Sequence, residues 1–153
     1  MVKLLRGFTV ISAVTAMAAA TVLLSATPSD AAKPDKNRFR CKAETETTQM
    51  DARYEERTHR LKTRKRFRAQ FEGSGAGLVA GAQLSVLVDT VAVGNITLVE
   101  EVPGEVEGQL RFDAKGRFGK KALPFPANFP VIAEGSLVEL QLAGATVLAC
   151  ELD

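Results

Sequence analysis

A single histidine in 153 residues removes most of the usual machinery for proton transfer. It is His59, set in a basic run with no nucleophile near it in sequence, and it reads as a surface or turn residue. Ser74, Ser85 and Ser136, the serines beyond the N-terminal segment, stand outside any nucleophile-elbow context. Two cysteines and one distant histidine lack the clustered spacing of a zinc site. The glycine-rich stretch GSGAG, residues 73–77, is not followed by a P-loop lysine and reads as a loop. Residues 113–116, DAKG, lack the alternating oxygen ligands of a calcium loop and read as a turn. The sequon Asn95-Ile96-Thr97 reads as a strand position. With no tryptophan and one tyrosine, Tyr54, little is offered for stacking on bases, and sequence-specific nucleic-acid binding is not expected. No cofactor or metal is implied. Catalysis keeps one footing, the paired carboxylates Glu100/Glu101 and Glu105/Glu107, which a glycosidase needs facing each other across a cleft.

The N-terminus addresses the chain. Lys3 and Arg6 precede nineteen uncharged residues, Gly7 to Ser25, and the small residues around Ala31 and Ala32 suit cleavage. Residues 1–32 therefore read as a secretory signal peptide, or as an uncleaved signal anchor, since such a run just suffices to cross a bilayer. Either reading exports the remainder to the periplasm, cell envelope or extracellular space, membrane-tethered if the signal stays. No lipobox precedes Cys41. About 120 residues remain, enough for one domain with a modest core. Residues 33–39 read as a flexible leader and residues 40–153 as the domain. In an oxidising compartment Cys41 and Cys150 are expected to pair, with two buried free thiols as the alternative.

The period of the domain is two. Cys41, Ala43 and Thr45 alternate with Lys42, Glu44 and Glu46; Phe67, Ala69 and Phe71 share a phase, as do Leu84, Val86 and Val88, and Val138, Leu140 and Leu142. Hairpins are expected around residues 89–92, 143–146 and, closed by Gly116, 113–116. Residues 49–62 are ambiguous. Met50, Tyr54 and Leu61 fit a helical face, and Glu55/His59 and Glu56/Arg60 have helical spacing, but strand is preferred. The whole predicts an all-β antiparallel sandwich or irregular barrel of about seven or eight strands, its N- and C-terminal strands linked by a disulfide. The order ARYEER…RKRFRAQFEG, VLVDTVAVGNITL, GQLRFDAKGRFG, FPVIAEGSLVELQLAG, ATVLACEL resembles all-β modules in uncharacterised exported bacterial proteins over most of the domain. The resemblance implies an all-β fold and no activity.

Charge is what the sequence has in quantity, and it is uneven. Residues 33–72 carry a net +6 and residues 73–153 a net −5. In RLKTRKRFR, residues 60–68, six of nine side chains are cationic. If that stretch is extended, Arg60, Lys62, Arg64, Arg66 and Arg68 line one face. Such a row repels itself unless anions lie along it. Glu44, Glu46, Glu55, Glu56, Glu100, Glu101, Glu105 and Glu107 offer internal partners. An anionic polymer or membrane surface is the external alternative, suited to guanidinium groups. A protein partner or self-association of the oppositely charged halves is the third. The expectation is a non-enzymatic structural or binding module, with polyanion binding through residues 60–68 and a carboxylate-pair hydrolase as alternatives.

Overall fold

The computed structural model describes residues 35–115 and 122–153, and among them the regular structure is entirely β. Nine strands are present: β1 (Asp35–Glu44), β2 (Thr48–His59), β3 (Lys62–Gly73), β4 (Gln83–Val88), β5 (Val91–Thr97), β6 (Val99–Val102), β7 (Glu105–Asp113), β8 (Leu137–Leu142) and β9 (Ala145–Glu151). They form two antiparallel sheets, β1-β2-β3-β7-β6 and β5-β4-β8-β9. All nine lie in the unit Ala32–Asp153. Residues 1–32, expected to be a signal peptide or signal anchor, lie outside the described residues, and among those no helix is long and apolar enough to cross a membrane.

Alternation builds the sandwich. Met50, Ala52 and Tyr54 on β2, Phe67, Ala69 and Phe71 on β3, and Val106, Leu110 and Phe112 on β7 point inward from the first sheet. Leu84, Val86 and Val88 on β4 and Val138 and Leu140 on β8 meet them from the second. Residues 49–59 are therefore strand, and the helical pairs do not form. Glu55 instead meets Arg57 on its own strand and Arg38 and Arg66 on the neighbours.

Both edges of the sandwich are tied. On one side Cys41 of β1 is disulfide-bonded to Cys150 of β9, with Cα atoms 5.7 Å apart. Arg40 and Asp153 exchange two backbone hydrogen bonds beside it. A disulfide so placed fits a non-reducing environment. On the other side β5 runs into β6 through Leu98, which is buried and bonded by backbone to Gly81 and Ala82 as the chain passes between sheets. There the sheets come close enough that only glycine fits at 108: a Cβ would lie 2.4 Å from Ile96 Cγ2 and 2.8 Å from the Thr97 carbonyl oxygen.

The two-residue hairpin turns fall where expected, with positive φ at Asp89 (48°) and Thr90 (69°) and at Ala143 (51°) and Gly144 (84°). The hairpin expected at residues 113–116 falls partly outside the described residues, and beyond it Leu123 makes only an isolated parallel bridge to Phe112. One correction concerns length. β1 starts at Asp35, inside the stretch expected to be a leader, because the long β2 presents its edge as far as Thr58. The PFPANFP segment is irregular, but Phe125 and Phe129 pack with Phe67 and Phe112 at ring separations of 4.8–6.1 Å and close one end of the core.

Candidate functional site

The outward face of the first sheet is a grid of charges, because every residue that alternates with the core on β1, β2, β3 and β7 is polar. Register aligns them in rows across the strands. One row reads Arg38, Glu55, Arg66, Asp113. The next, two residues along, reads Arg40, Arg53, Arg68, Arg111. Beyond it come Lys42, Asp51, Gln70, Gln109 and then Glu44, Gln49, Glu72, Glu107. The face thus grades from basic to acidic along the strand direction.

The first of these rows neutralises itself. Glu55 is buried although it faces outward, covered by three arginines: Arg38 Nη2 lies 2.7 Å from Oε1, and Arg57 Nη2 and Arg66 Nη1 lie 3.6 and 3.8 Å from Oε2. Asp113, also buried, accepts from Arg64 Nη2 at 3.1 Å and from the Lys115 backbone N–H at 2.8 Å, with Arg66 Nε at 3.7 Å. Burial pushes the Asp113 carboxyl up, but the Lys115 amide and the Arg64 and Arg66 charges outweigh it and hold it below its ordinary range. Burial, then the charge of Arg64, draws the Arg66 guanidinium below its ordinary value against the pull of Asp113 and Glu55. Lys65 reaches Glu56 at 3.7 Å on the other face.

The arginine row has no acid within it. Four guanidinium groups on four adjacent strands span about 14 Å at the usual strand spacing. Arg68 Nη2 donates to Gln70 Oε1, and Gln70 Nε2 donates in turn to Glu72 Oε1 at 2.8 Å, a relay toward the acidic end. The Nε atoms of Arg68 and Arg111 are buried with no hydrogen-bond partner among the described residues. Arg53, Arg57, Arg66, Arg68 and Arg111, with Glu55 and Asp113, line a cleft of about 340 Å³ over this part of the sheet. Phe67, Phe112 and Ala122 complete the lining, and guanidinium groups are suited to bidentate capture of phosphate, sulfate or carboxylate.

The five residues expected to form one cationic ladder separate. Arg64, Arg66 and Arg68 share the outward face of β3. Arg64 pairs with Asp113, and Arg66 with Glu55 and Asp113, carboxylates of the domain itself. Arg60 leaves the ladder: with φ of 55° it sits in the β2–β3 turn, where strand parity no longer applies. Lys62, the first residue of β3, is exposed beside it. Arg53 and Arg111 enter the row from other strands, a placement that needs register as well as alternation. Glu105 and Glu107 line a second cleft of about 460 Å³ with Glu44, Glu46, Glu72 and Glu101, at the acidic end. Among the described residues no group of three or more His, Cys, Asp and Glu is arranged to hold a metal ion. No family model matches the chain, and no curated protein or solved structure matches it.

Proposed function

We propose that the protein is an exported, non-enzymatic binding module of the cell envelope or extracellular space, and that its contact surface is the arginine row of the first sheet. The ligand class is an acidic polymer bearing phosphate, sulfate or carboxylate groups. One observation carries this reading: beside a row in which Arg38 and Arg66 alternate with Glu55 and Asp113, Arg40, Arg53, Arg68 and Arg111 stand in line with no acid among them. The cost of assembling four like charges is recovered when an anion lies along them. The N-terminal signal segment and the disulfide support export.

The test is retention of the oxidised domain, residues 33–153, on an immobilised sulfated polymer across a salt series. An Arg53→Ser/Arg68→Ser/Arg111→Ser variant with unchanged circular dichroism should elute at much lower salt. Equal elution of both would remove the proposal and turn attention to a protein partner or self-association. The carboxylate-pair hydrolase keeps one supporting observation, the cleft shared by Glu105, Glu107 and Glu72. Cleavage of glycoside substrates that is abolished by both Glu105→Gln and Glu107→Gln would favour it.

A further inference from the structure

The β2–β3 hairpin ends in an apolar residue that nothing among the described residues covers. Leu61 at its tip is 100% exposed, among the described residues the most exposed large hydrophobic side chain. It is flanked by Arg60, in the turn, and Lys62, both exposed. From Arg57 to Gln70 the chain carries no acidic residue. The nearest acid by register is Asp35, opposite Thr58. Among the described residues, β1 pairs with β2 as far as Thr58 and β7 pairs with β3 from Arg66.

We infer that this hairpin tip docks on an anionic phospholipid bilayer, with Leu61 entering the headgroup–acyl boundary and Arg60 and Lys62 at the level of the phosphates. Two independent features fit that occupant. A leucine between long cationic side chains matches the layering of the interface, apolar below and anionic above. The chain enters β1 at Asp35, opposite Thr58, so the sequence carrying the uncharged run 7–25 is joined covalently at this end of the domain. A domain tethered to a membrane through that sequence is held close to a bilayer. The arginine row lies further along the sheet and is left open toward its own ligand.

The experiment uses the domain of residues 33–153, since the unit Ala32–Asp153 holds both sheets and the disulfide. The chain has no tryptophan, so Leu61→Trp introduces a sole reporter at the tip. Vesicles of phosphatidylcholine and phosphatidylglycerol at about 2:1 are compared with phosphatidylcholine alone. Docking predicts a blue-shifted emission with the anionic vesicles only, quenched by brominated acyl chains. Leu61→Ser, at a position that contributes nothing to the core, should weaken co-sedimentation about tenfold or more. The Arg53→Ser/Arg68→Ser/Arg111→Ser variant in the Leu61→Trp background should keep the blue shift, which separates this contact from polyanion capture. Three results would each overturn the inference: unchanged co-sedimentation of Leu61→Ser, unshifted tryptophan emission from vesicle-bound Leu61→Trp protein, or no binding to anionic vesicles.

Discussion

Asp113 is the residue whose loss is most informative about how the charged face is held. Its side chain is 1% exposed and bears on Arg64 and Arg66, which are 28% and 29% exposed. Asp113→Asn keeps the shape and the acceptor for the Lys115 amide but removes the charge. Breaking a buried pair by deleting one partner costs about 3–5 kcal/mol. The arginines are partly hydrated, and that hydration returns some of the cost, so about 2–3 kcal/mol is expected. Glu44→Gln, which breaks the Lys42–Glu44 pair at 60% and 66% exposure, provides the contrast and should cost about 0.5 kcal/mol or less. Urea denaturation with the disulfide intact, followed by far-ultraviolet circular dichroism, measures both. The pH dependence follows from the same carboxylate. Its folded pKa lies below the unfolded value of about 3.9, so its contribution is present above that value and is lost as pH falls through the folded pKa. The variant should lack that part of the acid slope. If Asp113→Asn is as harmless as Glu44→Gln, the buried carboxylate does not organise the arginines and the argument fails.

Other outcomes follow from the fold. Replacing Cys41 and Cys150 by serine releases a loop of sequence separation 109, and midpoints in urea should fall by the equivalent of about 4–5 kcal/mol at most. Tyr54, buried and donating to Glu56 Oε2 at 2.7 Å, has its phenol pushed well above the usual value by burial and then by Glu56. Its phenolate absorbance should appear late in alkaline titration of the folded domain, and stability should decline as pH rises past about 10, where the unfolded chain ionises first. Glu56→Gln should move that titration to lower pH. Gly108→Ala forces a Cβ into Ile96 and the Thr97 carbonyl, and a loss of about 1–3 kcal/mol is expected in the same urea assay.

The fold was legible where burial alternates. Phe67, Ala69 and Phe71 against Arg64, Arg66 and Arg68 specify a strand and its two faces without any tertiary information. The start of β1 is not legible in sequence, because its first residues contribute only Phe39 to the core and charge alone does not reveal a strand. Register is a non-local property, so nothing near Arg68 in sequence aligns it with Arg53 and Arg111. Asp113 read as part of a turn because it opens DAKG; as the last residue of β7 it faces the arginines instead. Counting in twos along the strand puts Arg60 on the ladder, but the turn interrupts that parity. Gly108 left a gap in the apolar phase of β7 that only the approach of Ile96 explains.

The central claim is that the arginine row binds anions, and the salt dependence of affinity for a soluble sulfated polysaccharide tests it most directly. Counterion release makes the logarithm of affinity fall linearly with the logarithm of salt, with a slope that tracks the number of cations engaged. Removal of Arg53, Arg68 and Arg111 as serine should flatten that slope by roughly two to three and weaken binding at every salt concentration. A slope unchanged by those three substitutions, with Lys62→Ser alone reducing it, would contradict the claim and place anion contact at the hairpin tip.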